Sequence, residues 1–206
     1  MAQQLVESLE VRPLTGNDLS RVVEVHLKGF QGFFLSFLGK GFLTLLYDGF
    51  LKDPDGIVLV ANSGGDVVGF VAGSLHQKGF YQRLLSKKRW SFAWASLGAL
   101  LRRPWIFPRL LRALRQPAIA AKSCAEACLM SIAVKPEAEG RGIGKKLVEA
   151  FCREAAGRGA PAVCLTTDRE GQDQVNRFYE QMGFQVSRTY VTPEGRAMNE
   201  YLITLK

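Results

Sequence analysis

The sequence predicts an α/β protein with a mixed sheet. Three observations support this fold class: strand-like apolar segments alternate with helical periodicities, turn residues join two pairs of neighbouring strands, and one continuous apolar run has strand length. The chain has 206 residues, of which 47% are hydrophobic and 22% charged, values that are ordinary for a globular protein. We therefore expect a single domain over residues 1–206, with a basic segment at 77–122 inserted into it.

The first half of the chain predicts a strand, two helical segments and a hairpin. These cover residues 9–14, 18–28, 30–50 and 57–75. Apolar residues recur at helical spacing in the aromatic-rich segment 30–50, with Gly39 and Gly41 as a break. The hairpin prediction depends on two β-branched runs joined by the turn sequence NSGGD.

The second half predicts strand, helix, strand, helix and a second hairpin. These cover residues 127–134, 143–155, 162–167, 175–182 and 184–205. The run ACLMSIAV at 127–134 is nearly continuous in apolar residues, which is typical of a strand buried on both faces. Gly183 is placed to end the second helix, and the turn TPEG joins the strands of the hairpin.

A glycine-rich stretch at residues 139–144, here called the glycine loop, opens the helix at 143 and predicts an anion site. A helix N-terminus presents unpaired N–H groups and a positive dipole end, and glycine lets a phosphate approach closely. A Walker A loop is excluded because Gly144-Lys145 is followed by Lys146 rather than Ser or Thr. A dinucleotide fingerprint is excluded because the glycines at 140, 142 and 144 are spaced two and two.

The stretch SIAVKPEAEGRGIGKKLVEAF at 131–151 resembles the acetyl-coenzyme A signature of the GNAT superfamily of N-acetyltransferases, Q/R-x-x-G-x-G/A. Glu139, Gly142 and Gly144 take its first, fourth and sixth positions. The later stretch NRFYEQMGF at 176–184 resembles the family's N-x-x-Y-x-x-x-G-F helix. The two motifs lie within residues 131–184, about a quarter of the chain, and the order of elements fits the family over nearly all of it.

The resemblance implies a twisted, mostly antiparallel sheet flanked by helices, with the basic helical insertion between the third and fourth strands. It also implies an acetyl-coenzyme A co-substrate, a pantetheine contact from Asn176, and Tyr179 as the acid that protonates the leaving thiolate. The expected coenzyme-binding residues are Ser131, Ile132, Ala133, Val134, Glu139, Gly140, Arg141, Gly142, Ile143, Gly144, Lys145, Asn176 and Tyr179.

One position departs from the family pattern. Glu139 places a carboxylate where the family has Gln or Arg. A carboxylate beside a pyrophosphate is unfavourable, so we expect weaker coenzyme binding, but still binding, because the loop holds the ligand mainly through its backbone.

The sequence leaves two candidates for the general base that takes a proton from the amine. Glu126 precedes Cys128 by two positions on a predicted strand that often carries a base in this family. His76 lies at the end of the second hairpin strand, and its ordinary pKa suits the task.

The insertion at 77–122 holds eleven Lys or Arg, no Asp or Glu and all three Trp. The net charge is +8, so the remainder of the chain carries 8 − 11 = −3. Three interpretations remain open: a helical lid, an interfacial element on an anionic membrane, and a site for an anionic substrate. We expect no nucleic-acid partner, because no reading motif is recognised.

The sequence therefore predicts an N-acetyltransferase that moves an acetyl group to a primary amine of a small molecule, with an amino sugar as one acceptor. The alternatives are a protein N-acetyltransferase acting on a Lys or N-terminal amine, and a membrane-associated coenzyme-A-binding module. We expect no metal and reduced cysteines at 124, 128, 152 and 164, since tight pairs are absent and histidines few. Without a signal peptide or an apolar span, the expected location is the cytoplasm, with contact at the inner face of the membrane as an alternative.

Overall fold

The structure, a computed structural model, describes residues 9–32, 34–77, 80, 83–84, 92 and 127–205. Seven strands form one sheet in the order β1-β2-β3-β4-β5-β7-β6. The strands are β1 (Glu10–Pro13), β2 (Gly56–Ser63), β3 (Asp66–Ser74), β4 (Ala127–Val134), β5 (Ala162–Asp168), β6 (Gln185–Val191) and β7 (Ala197–Thr204). Every neighbouring pair is antiparallel except β4 and β5, so the mixed, mostly antiparallel sheet is confirmed.

Helices cover both faces of this sheet. They are α1 (Leu19–Gly29), α2 (Phe34–Phe37), α3 (Gly39–Lys52), α4 (Ile143–Gly157) and α5 (Asp173–Gln181), with short 3₁₀ turns at Gly16–Asp18 and Pro136–Ala138. The two hairpins and the strand at 127–134 lie where the sequence predicts them, and β4 has an apolar cluster against each face. Within the described ranges, no helix has the length and apolar character needed to cross a membrane.

Two apolar clusters form the core, one on each side of the sheet. Helices α1 and α3 pack on one face, where Val22, Leu43 and Phe70 are fully buried. Helix α4 packs on the other face through the predicted stripe of Ile143, Leu147, Phe151 and Ala155, all of them buried. The periodicity of α4 thus correctly predicts its buried face.

Strands β4 and β5 separate along their length. Their residue pairing is limited to Ala127 with Val163 and Cys128 with Cys164. Beyond that point β4 continues beside β3, and β5 continues beside β7. The sheet therefore has an opening at its centre, between β4 and β5. Along this opening the backbone N–H and C=O groups of the two strands do not hydrogen-bond to each other.

A bulge in β4 sets which side chains face each layer. Ala72 pairs with Ser131 but Gly73 pairs with Leu129, so Met130 is the extra residue. After the bulge, Ala133 packs with the α1 and α3 layer while Ile132 packs with the α4 layer. The bulge thus turns the side chain of Ser131 toward α1 and α3.

Candidate active site

A cavity of about 940 Å³ occupies the opening between β4 and β5. Its lining comes from the glycine loop and the start of α4, from α5, from both separated strands, and from α1 and α3 on the opposite side of the sheet. One continuous space therefore joins the helix N-terminus that can hold an anion to the layer of α1 and α3.

The glycine loop has the backbone conformation that an anion site needs. Gly140 and Gly142 have φ of 75° and 72°, which only glycine adopts without strain, and Gly142 is the N-cap of α4. An added Cβ at either glycine would meet nothing within 4 Å, so the space in front of the loop is open. The first helical bond of α4 is from Lys146 N–H to the Gly142 carbonyl at 3.1 Å, which leaves the N–H groups of the preceding turn free to bind an anion.

Most of the predicted coenzyme residues line this cavity. They are Ser131, Ile132, Ala133, Val134, Glu139, Gly140, Gly142, Ile143, Gly144, Lys145 and Tyr179. Gly144 lies against the ring of Phe178, where an added Cβ would be 3.6 Å from the ring, so the start of α4 packs closely on α5.

Tyr179 lies on α5 at the cavity wall and is only 4% exposed. Its ring packs edge-on against Phe178 and Phe184, at centroid distances of 5.1 and 5.7 Å. Burial raises the pKa of Tyr179, so the phenol keeps its proton at neutral pH. A protonated phenol is the state from which a general acid must start.

Asn176 and Arg141 are not among the residues that line the cavity. Asn176 accepts a 2.6 Å hydrogen bond from the Thr167 hydroxyl and donates a 3.1 Å bond to the Asp168 carbonyl, which ties α5 to the end of β5. Arg141 lies exposed on the glycine loop. Their contacts with the coenzyme stay predictions.

Neither candidate base is placed at the cavity. Glu126 lies outside the described residues. His76 is exposed, its Nδ1 lies 3.2 Å from a carboxylate oxygen of Asp55, and it does not line the cavity. The role of each as a base stays a prediction.

The cavity wall formed by α1 with its C-cap residue, α2, α3 and β4 is here called the aromatic wall. It comprises His26, Phe30, Leu35, Leu46, Tyr47, Phe50, Met130 and Ser131. His26 and Tyr47 are functional candidates that the sequence reasoning missed. The available signal was the apolar periodicity of segment 30–50, which indicates a buried helix face but does not show that a tyrosine on it meets a histidine of another helix.

An ion pair between Arg196 and Asp168 also lines the cavity. Arg196 donates from Nε and a terminal nitrogen to the two carboxylate oxygens of Asp168, at 2.9 and 2.6 Å. Both residues line the cavity, so this part of it carries charged side chains, whereas the aromatic wall as defined has no carboxylate, Lys or Arg.

The basic insertion is described only at a few positions, and most of it lies outside the described residues. Phe80, Leu84 and Phe92 are buried in the cluster around α1 and α3. Phe80 stacks on Phe50 at 4.3 Å, so the described part of the insertion packs behind a residue of the aromatic wall. The membrane and anionic-substrate interpretations concern residues outside the described ranges.

Comparison with known proteins agrees with this geometry. Residues 112–186 match the family described as "Acetyltransferase (GNAT) domain". A Glycine max protein named "Probable acetyltransferase TAP2" is 31% identical over 150 residues, which covers 69% of this chain and 57% of that protein. The chain thus spans little more than half the length of this relative.

Two solved structures share the fold at low sequence identity. The ribosomal-protein-S18-alanine N-acetyltransferase from Escherichia coli has a TM-score of 0.59 at 14% identity, covering 97% of this chain and 95% of that one. The PaiA N-acetyltransferase from Thermoplasma acidophilum, in complex with coenzyme A, has a TM-score of 0.55 at 15% identity, covering 94% and 98%. Both are similar to this chain over almost the whole of its length.

Proposed function

We propose that this chain is an acetyltransferase of the GNAT family, whose domain residues 112–186 match, and that it transfers the acetyl group of acetyl-coenzyme A to a primary amine of a small molecule. The observation that carries this proposal is the continuous cavity, which runs from the N-terminus of α4, through the opening between β4 and β5, to the aromatic wall. Such a path gives a phosphate-bearing donor and an amine separate entrances that meet at Ser131 and Ile132.

The residues at the donor end fit acetyl-coenzyme A. The pyrophosphate would bind the N–H groups of the glycine loop, where the dipole of α4 favours negative charge. The pantetheine arm would lie along the side of β4 that has no strand partner beyond Cys128 among the described residues, and bond to its free backbone groups. Lys145 adds a positive charge at the cavity, whereas Glu139 adds a negative one.

The chemistry is a direct attack of the neutral amine on the thioester carbonyl. Backbone N–H groups near Ile132 would polarise this carbonyl, and fixed donors of this kind act without reorganisation as charge develops. The carbon–nitrogen bond forms, the carbon–sulfur bond breaks, and the leaving thiolate takes the phenolic proton of Tyr179. A positioned acid of this kind typically contributes about 10²–10⁴-fold to the rate.

The aromatic wall favours an amine that carries an apolar or aromatic group. Phe30, Phe50 and Met130 present apolar surface, and the polar groups of the wall are hydrogen-bonded to one another. An amino sugar is the second small-molecule candidate. Its support is the positive charge of the insertion, which lies mostly outside the described residues, whereas the aromatic wall lines the cavity itself. A protein N-acetyltransferase is the rival reading, and the enclosure of the wall by α1 and α3 favours a small acceptor over a chain terminus.

The first test is coenzyme binding. Acetyl-coenzyme A at 100 times its dissociation constant should raise the free energy of unfolding by about 2.7 kcal/mol, seen as a rise of several degrees in the unfolding temperature. Gly142→Glu, which fills the open space before the loop with a carboxylate, should abolish the rise. An equal rise in both proteins would place the coenzyme elsewhere.

The second test is catalysis. Free thiol released from acetyl-coenzyme A is measured with 2-phenylethylamine, glucosamine and an N-terminal peptide amine as acceptors. We expect the fastest release with 2-phenylethylamine, and a loss of about 10²-fold or more in kcat for Tyr179→Phe, which keeps the ring packing. Coenzyme binding without transfer to any amine would indicate a coenzyme-binding module that lacks catalysis. Faster release with the peptide would favour the protein acetyltransferase.

A further inference from the structure

Three polar side chains from three different elements meet at the aromatic wall. Nδ1 of His26 on α1 lies 2.7 Å from the hydroxyl of Tyr47 on α3. That hydroxyl lies 3.2 Å from the hydroxyl of Ser131 on β4. All three residues line the cavity, and Ser131 belongs to the strand segment along which the pantetheine arm is proposed to lie.

This chain of hydrogen bonds is buried among apolar groups. His26 is 2% exposed and Tyr47 is fully buried. The imidazole packs against the ring of Phe30 at 4.6 Å and stacks on Phe70 of β3 at 6.3 Å. Placing three polar side chains in such surroundings costs free energy that an all-apolar contact would avoid, so their presence calls for a reason beyond packing.

The imidazole is held in its neutral form. Burial alone lowers the pKa of His26 to about 4. Among the described residues, the rings that pack against it are those of Tyr47 from α3, Phe70 from β3 and Phe30 at the end of its own helix, none of them charged at neutral pH. Nε2 is buried and has no hydrogen-bond partner among the described residues. A neutral imidazole has one nitrogen able to accept a proton, and here Nδ1 is the nitrogen that faces the tyrosine.

The proposed reaction needs a proton acceptor on this side of the cavity. An amine that attacks the thioester must lose a proton as the amide forms. On the aromatic wall, as far as it is described, the remaining lining is apolar: Phe30, Leu35, Leu46, Phe50 and Met130. The two carboxylates that line the cavity in the described residues, Glu139 and Asp168, belong to the glycine loop and to the last position of β5.

We propose that Ser131, Tyr47 and His26 form the relay that accepts the proton of the attacking amine, an inference that rests on the proposed function. Ser131 is the catalytic residue, because its hydroxyl oxygen takes the proton from nitrogen while its own proton passes to the oxygen of Tyr47. The tyrosine proton passes in turn to Nδ1 of His26. Tyr47 and His26 therefore act through Ser131, as positioning residues.

The step balances with the acid already assigned. One proton leaves the amine and is held at His26, and one proton leaves Tyr179 and completes the thiol. The imidazolium and the Tyr179 phenolate then return to their starting states by net transfer of one proton from His26 to Tyr179 through solvent once the products have left. No oxidant, reductant or metal takes part.

The test compares Tyr47→Phe with the unchanged protein over pH 6 to 10, using 2-phenylethylamine as the acceptor. This variant keeps the buried ring and removes the hydroxyl that joins the other two residues. We expect kcat at pH 7 to fall by about 10²-fold or more, and the loss to shrink toward pH 10, where hydroxide from solvent can take the proton in place of the relay. The dissociation constant of acetyl-coenzyme A should stay within about twofold, since the change lies outside the donor end.

Ser131→Ala provides a second variant with a smaller change in packing. Because the two residues act in one relay, the double variant should lose little more than either single one. Tyr201→Phe and Ser74→Ala are matched controls, since each removes a buried hydroxyl outside the cavity lining, and neither should change the shape of the pH profile. A Tyr47→Phe enzyme with the unchanged profile, or fully additive losses, would overturn the relay. Absence of transfer in the unchanged protein would instead overturn the proposed function.

Discussion

At the scale of single residues, Glu139 is the position where this chain departs most clearly from a good phosphate site. Its side chain is exposed at the glycine loop and it lines the cavity. The carboxylate would lie near a ligand with several negative charges, and like charges in a partly enclosed space repel more strongly than in water. The glycines beside it keep the backbone donors in place, so the side chain is expected to weaken binding without preventing it.

Replacing Glu139 by Gln should therefore tighten the binding of acetyl-coenzyme A. We expect the dissociation constant to fall severalfold at low salt, and the difference to narrow at high salt because ions screen the repulsion. Isothermal titration at two salt concentrations measures both. Glu149→Gln on the exposed face of α4 is the matched control, since it removes the same charge outside the cavity lining. An unchanged or larger constant for Glu139→Gln would show that the carboxylate turns away from the ligand.

His26 makes stability depend on pH. Its pKa is about 4 in the folded protein against an ordinary 6.5, so between these values the unfolded chain binds a proton that the folded protein does not. The free energy of unfolding should therefore fall as the pH is lowered through this window, by about 2 kcal/mol between pH 7 and pH 5.

Urea unfolding at pH 7 and pH 5 measures this dependence, and His26→Gln should remove most of it. Because Gln does not titrate, the variant separates the histidine from the carboxylates of the protein. A variant that keeps the full pH dependence would mean that another group is responsible.

At the scale of elements, α3 connects the cavity to the basic insertion. Tyr47 and Phe50 of α3 line the cavity, while Gly49, between them, receives the side chain of Leu84 from the insertion. An added Cβ at Gly49 would lie 1.9 Å from the end of that leucine. Arg83, next to Leu84, is paired with Asp53 at 3.1 Å just beyond the helix. The start of the insertion is thus held against α3, which contributes residues to the aromatic wall, by one apolar contact and one ion pair.

Gly49→Ala should lower the free energy of unfolding by about 1–3 kcal/mol, because Leu84 must be displaced from a packed position. Helix propensity alone would favour Ala over Gly by about 0.5–1 kcal/mol, so a loss of stability is diagnostic. Gly157→Ala in α4 is the matched control, since an added Cβ there meets nothing within 4 Å, and it should be neutral or stabilising. Denaturant unfolding of both variants measures the difference. Equal stabilisation by both would mean that Leu84 does not occupy this space.

At the scale of the whole molecule, the separation of β4 and β5 places the site. Each strand is held on its outer side, β4 by β3 and β5 by β7, so the opening between them does not break the sheet into two. The cavity can then pass from the α4 and α5 layer to the α1 and α3 layer. The two ends of the cavity thereby lie on opposite faces of one sheet, with the bulge at Met130 turning Ser131 toward α1 and α3.

The sequence by itself determined the elements of the described ranges and the position of the glycine loop at the start of α4. Three of these features are local: strand 127–134, the buried stripe of α4, and the glycines at 140 and 142. Each depends on a pattern of neighbouring residues, namely an apolar run, a helical period and a glycine at a position of positive φ. The two motifs likewise placed Tyr179 at the cavity. These features depend on interactions between residues close in the chain, so they can be predicted from the sequence.

The tertiary structure alone decided how the cavity is closed on the side of α1 and α3. His26 and Tyr47 are 21 positions apart, and Tyr47 and Ser131 are 84 apart, so no periodicity relates them. Their meeting depends on how α1 and α3 pack on the sheet and on one extra residue in β4, which reverses the direction of every side chain after it. A one-residue change of register has no clear local signature in sequence. The sequence reasoning therefore named Glu126 and His76 as candidate bases, whose roles stay predictions, and did not single out His26 and Tyr47.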